Sequence, residues 1–162
     1  MMAKLSGTIT EYAGRTSDVL AFDGMKEQGD VRLKQELVAT GESGALTTGI
    51  QKLAQRFLLE LLTEKGSLIY EPDRGTFFIT RFRMGLLRTS QDLYSAFSSA
   101  VADAKIQLAQ EESDQDPPDE RYFSAELLGA SLLGDQASLS IRLTSQAGDS
   151  RVVIYPLRVA AI

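Results

Sequence analysis

The sequence predicts an α+β fold: two main helices packed on a C-terminal antiparallel β-meander, preceded by an N-terminal arm of extended or β character. Three observations predict it. Residues 47–112 carry apolar side chains at helical spacing, and residues 121–162 carry them in alternation. Residues 1–46 are rich in Gly, Thr and Ser and hold few large apolar side chains. Helices first and strands last is the order of an α+β domain whose helices cover one face of a sheet. The chain therefore divides into an arm or small β-ribbon over residues 1–46 and a core domain over residues 47–162.

In the arm, residues 8–12 and 19–22 are short β-like runs. Val31, Leu33 and Leu37 fall on one side of an alternating pattern that suits a further strand. Gly41, Ser43 and Gly44 close the section with turn chemistry. Two readings stay open: an arm ordered only against a partner, or a ribbon packed on its own domain.

In the core domain, Ile50, Leu53, Ala54, Phe57, Leu58, Leu61 and Leu62 follow the spacing of one helix face. Thr48 with Gln51 predicts a capping box at its start, and Lys65-Gly66 a basic last turn and left-handed cap at its end. Burying those seven side chains contributes on the order of 10 kcal/mol before chain entropy is subtracted. Pro72-Asp73-Arg74-Gly75 has turn chemistry, flanked by short extended runs at 68–70 and 76–79. A second helix is predicted from Thr89 or Ser90 to about Glu112, with the stripe Leu93, Phe97, Ala100, Val101, Ala104 and Leu108. Pro117-Pro118 stops it.

The meander is predicted as a first strand over residues 122–133, a turn at Gly134-Asp135, and a second strand in which Ala137, Leu139, Ile141 and Leu143 alternate with polar residues. A turn over residues 146–149 leads to a last strand over 151–159. Pro156 cannot donate to a ladder, so it predicts an edge strand or a bulge.

Composition narrows the chemistry. The 162 residues carry 22 acidic and 17 basic side chains, a net charge of -5, and no His, Cys or Trp. Disulfides, thiolate nucleophiles, Cys/His zinc sites and imidazole acid/base catalysis are excluded. Six acids without a basic residue stand between Glu111 and Glu120; the rest of the chain has 16 acids against 17 bases. A nearly neutral body carrying one acidic segment indicates no nucleic-acid binder. No stretch reaches the roughly 18 apolar residues of a membrane span, and no apolar leader follows Met1. The expectation is a cytoplasmically made protein with no membrane, metal or cofactor.

Candidate chemistry rests on carboxylates. Glu60 and Glu64, one helical turn apart, read as solvated groups opposite the apolar stripe. Glu71 and Asp73 bracket Pro72 as a conceivable glycosidase pair. The six acids of the linker lack EF-hand spacing and read as a solvated, mobile loop. Gly41-Glu42-Ser43-Gly44 lacks the Gly-Lys-Ser/Thr pattern of a phosphate loop. Arg81, Arg83 and Arg88, interleaved with Phe82 and Met84, suit a protein interface; the alternatives are a nucleic-acid contact and a loop with snorkelling stems.

One stretch goes further. Gly49-Ile50-Gln51-Lys52-Leu53-Ala54-Gln55-Arg56-Phe57 runs through Leu61-Leu62-Thr63 to Gly66, then Pro72-Asp73-Arg74-Gly75-Thr76. An amphipathic helix ending in Leu-Leu-Thr, a Gly, then Pro-Asp-x-Gly-Thr resembles the baseplate wedge family of contractile-tailed phages, also called the sheath initiator. Relatives of that family serve in type VI secretion baseplates. The resemblance covers roughly residues 47–160. It implies a non-enzymatic virion protein of the tail baseplate, present in the host cytoplasm during assembly. Its implied partners are other wedge proteins, the tail sheath protein and tail tube or hub proteins. The implied mechanism is strand docking on the C-terminal sheet, with Arg151, Val153 and Tyr155 on the last strand. The family's Glu-Pro-Arg anchor corresponds to Pro117-Pro118-Asp119-Glu120-Arg121, where proline precedes Glu120 and Arg121 instead of separating them. Expected partner-binding residues are thus Glu120, Arg121, Arg81, Arg83, Arg88, Arg151, Val153 and Tyr155. A type VI secretion subunit, an intracellular protein-binding regulator on the same fold and a carboxylate-dependent glycosidase are the alternatives.

Overall fold

The apolar stripe that begins at Ile50 folds as α1, Gly49–Leu62, with Leu53, Ala54, Phe57, Leu58 and Leu61 fully buried. The computed structural model describes residues 18–19, 46–134 and 136–158. Within them, β1 (Asp18–Val19) pairs antiparallel with β2 (Leu46–Thr47) immediately before α1. The runs at 8–12 and 31–37, the turn at 41–44 and the part of the 19–22 run after Val19 lie outside the described residues.

The ends of α1 differ from expectation. Thr48 occupies the N-cap position in extended conformation, yet its side chain makes no capping bond. The cap comes instead from Glu120, whose Oε1 accepts the Gly49 N–H at 3.0 Å. At the other end the helix stops at Thr63, before Lys65-Gly66, because Thr63 turns extended while its N–H and hydroxyl both donate to the Leu59 carbonyl.

The following segment folds back as a clamp. Thr76 N–H donates to the Thr63 carbonyl at 2.8 Å, and Lys65 N–H donates to the Thr76 carbonyl at 3.1 Å. The fully buried Thr76 hydroxyl donates to the Leu61 carbonyl at 2.8 Å. Gly75 has φ +87°, and a Cβ there would overlap the Thr63 carbonyl. The Leu-Leu-Thr and Gly-Thr pieces of the motif are therefore two halves of one backbone contact. Residues 68–70 form no strand, and the run at 76–79 is not extended as predicted. Only Thr76 bridges, to Glu64; a short helix α2, Phe78–Arg83, starts two residues later.

Helix α3, Ser90–Glu111, starts at a complete capping box: Asp92 N–H donates to the Thr89 hydroxyl, and the Asp92 carboxylate accepts the Thr89 N–H. Its buried face holds Leu93, Ala96, Phe97, Ala100, Ala104 and Leu108, where the alanines admit a close neighbour. Phe57 of α1 joins the layers. It stacks on Tyr122 at 6.1 Å between centroids and meets Phe97 edge-on at 6.4 Å, pairs worth about 1 kcal/mol each beyond burial.

A 3₁₀ turn at Pro118–Glu120 leads into β3 (Tyr122–Leu133), β4 (Gln136–Ser145) and β5 (Ser150–Arg158). They form an antiparallel sheet in the order β3-β4-β5. Ala137, Leu139, Ile141 and Leu143 of β4 are buried, matching the predicted alternation, in one core with the apolar faces of α1 and α3; α1 packs on β4 and β5, and α3 on β3. The domain is α+β. The two borders of the sheet differ: β3 carries register shifts around Phe123 and Leu128, whereas β4 and β5 stay in register from Gln136↔Arg158 to Thr144↔Ser150. Pro156 sits in β5, the last strand in the described order.

Candidate functional site

Lys52, Arg56 and Glu60 recur every four residues and so share one face of α1, beside the apolar stripe. The acidic segment docks along this face. Lys52 Nζ reaches Glu120 Oε2 at 2.8 Å. Arg56 lies 3.3 Å from Glu111 and 3.6 Å from Glu112, and donates to the Glu120 carbonyl at 3.4 Å. Glu112 in turn accepts the Tyr122 N–H at 2.8 Å, which starts β3. The seam continues through Arg74, which bonds Glu60, pairs with Glu71 at 3.0 Å and lies 2.6 Å from Glu111.

Two expectations are corrected here. The acidic segment is not a solvated loop throughout, because Glu111, Glu112 and Glu120 are bound by basic residues of α1. Only Asp114 stands fully in solvent, facing Arg121 at 3.5 Å. Glu60 is not solvated either: it is 1% exposed, and its Oε1 accepts from Arg74 Nε at 2.7 Å. Its neighbour Glu64 is half-buried and pairs with Arg83 at 2.8 Å.

The electrostatics follow from these contacts. Burial pulls the Arg74 guanidinium down, but Glu71, Glu60 and Glu111 together outweigh it and hold the group above its ordinary value. Burial raises the Glu112 carboxyl above its ordinary 4.5, against the lowering effects of the Tyr122 N–H and Arg56. The Thr89 hydroxyl and the backbone N–H groups of Arg88 and Thr89 lower Asp92.

The expected partner-binding residues fall in three places. Glu120, 2% exposed, and the half-buried Arg121 stand at the N-terminus of α1. Arg81, Arg83 and Arg88 are all exposed, on α2 and just after it, near the opposite end of α1. At 1.5 Å per residue those two groups are separated by about 20 Å of helix. Arg151 is half-buried on β5, and Val153 and Tyr155 face the core. Any contact of Val153 or Tyr155 with a docking strand therefore runs through the backbone. Lys52, Arg56 and Arg74 stand in the sequence motif and Glu112 in the acidic segment, but none of the four is among the expected partner-binding residues. The four-residue spacing of Lys52, Arg56 and Glu60 is the signal that marks this seam.

The glycosidase candidates make no enclosed pair. Glu71 and Asp73 border an open depression with Tyr70, Gln107 and Gln110, and Gln107 Nε2 donates to the Asp73 backbone carbonyl at 3.0 Å. Among the described residues no group of three or more carboxylates is placed to hold a metal ion. Among the described residues no helix is long and apolar enough to cross a membrane. No family model, no curated protein and no solved structure matches the chain.

Proposed function

We propose that this chain is a non-enzymatic structural component of a contractile-tail baseplate, joining inner wedge subunits and initiating the sheath by strand docking on its meander. The observation that carries the reading is the folding of the motif segment. Residues 49–76, which carry the quoted motif, close into one helix-and-clamp unit that backs a terminal antiparallel meander. The order of parts is the order the wedge family has. Among the described residues the sheet ends at β3 on one side and β5 on the other, and an open sheet edge can be extended by a strand from another chain. Glu120 and Arg121 take part as a positioning pair: Glu120 fixes the α1 terminus from inside, and Arg121 lies beside it nearer the surface.

The test is electron microscopy of purified tails. The chain is expected in the baseplate, with a foreign strand against its sheet, and its deletion is expected to leave tubes without sheath. A soluble one-to-one complex, with the chain absent from particles, would replace this reading by that of an intracellular regulator.

A further inference from the structure

The loop between α1 and α2 carries the most exposed of the large apolar residues described: Ile69 is 88% exposed and Tyr70 96%. Leu68, next to them in the loop, is exposed as well. This loop is held on both flanks. Ser67 N–H donates to the Glu64 carbonyl, Glu71 N–H to the Leu68 carbonyl and Arg74 N–H to the Glu71 carbonyl. Lys65 pairs with Asp103 at 3.8 Å, and Gln107 ties Asp73 to α3. An aromatic and two aliphatic side chains thus stand in water on a braced backbone, so inserting them into a partner orders little that is not already ordered.

Charge narrows the kind of partner. Glu71, Asp73 and Glu111 line the depression beside Tyr70 against Arg74, an excess of two negative charges, while Lys65 and Asp103 on the other flank cancel. A surface of the same sign is repelled, and a basic one is attracted. We propose that Leu68, Ile69 and Tyr70 form a knob that inserts into an apolar cleft of a protein partner rimmed by Lys or Arg side chains. Aromatic anchors in desolvated clefts carry most of the binding energy of such contacts, with the charged rim setting orientation. The inference rests on the baseplate reading for the partner's location, the assembled tail.

The experiment is hydroxyl-radical footprinting of the full chain, free and in purified tails. It is paired with the I69S/Y70S double variant and with D73K. Tyr70 oxidation is expected to fall about tenfold or more in tails, and I69S/Y70S to lower incorporation by a similar factor with unchanged Tm. D73K should reduce incorporation by a smaller factor that shrinks further at high salt. If the chain is in tails but Tyr70 reacts there as in the free chain, the knob proposal falls and the baseplate reading stands. If the chain is absent from tails, the baseplate reading falls and the partner named through it falls too. A concentration-dependent dimer in sedimentation, abolished by I69S/Y70S, would assign the knob to a second copy and overturn the proposal.

Discussion

The two ends of α1 each bury a carboxylate, but the surroundings differ. At the N-terminus, both oxygens of Glu120 are used, one by the Gly49 N–H and one by Lys52. The positive end of the helix dipole adds to that attraction. Near the C-terminus, Glu60 relies on Arg74, its Oε2 has no hydrogen-bond partner, and the dipole opposes it. What holds the C-terminal end is the backbone clamp between Thr63 and Thr76, with the Glu60–Arg74 pair laid over it. A buried carboxylate on its own says little about stability; the end of the helix it faces and the number of its partners decide.

This contrast breaks most directly at Glu120. E120A removes the acceptor of the Gly49 N–H and the carboxylate that Lys52 pairs with. It should reduce unfolding free energy by about 3–5 kcal/mol in urea denaturation; a loss near zero would mean that α1 does not need this cap. G75A attacks the clamp, placing a Cβ against the Thr63 carbonyl at φ +87°, and should reduce stability by about 3 kcal/mol. E60M removes a half-satisfied buried charge while Arg74 keeps Glu71 and Glu111. It should leave stability within about 1 kcal/mol of the parent. An E60M loss as large as that of E120A would show the two ends to be equivalent.

The smallest expected effect is on pH dependence. The folded Glu112 carboxyl sits above its unfolded value of 4.5, so the folded chain holds that proton more readily. Its contribution favours folding below that value and fades as pH rises through the folded one. E112Q keeps an acceptor for the Tyr122 N–H but cannot titrate, so this decline should vanish from its stability profile. Asp92 has the opposite sign, being lowered from 3.8, and its contribution is lost as pH falls below that value. The Glu112 test is therefore read above the range in which Asp92 titrates.

Particular residues show how far the fold was legible. The α1 stripe, the Thr89–Asp92 start of α3 and the alternation of β4 were readable because each is set by neighbours within a few residues. Helix α2 was not: Phe78–Arg83 is six residues long, too short for its periodicity to separate helix from strand. Thr48 and Gln51 carried the sequence signature of a cap, yet the bond went to a carboxylate 71 positions away. Glu60 looked solvated because its lateral neighbour Arg74 comes from the clamp and not from the helix.

By itself the sequence determined the α+β class, the two long helices, the antiparallel meander, their order and the absence of imidazole and thiol chemistry, since all of these follow from local period or composition. Only the tertiary structure decided which charges meet. Lys52 to Glu120 and Arg56 to Glu111 span 68 and 55 positions. Local sequence does not encode such partners; they follow from how α1, the acidic segment and β3 pack around Phe57 and Tyr122.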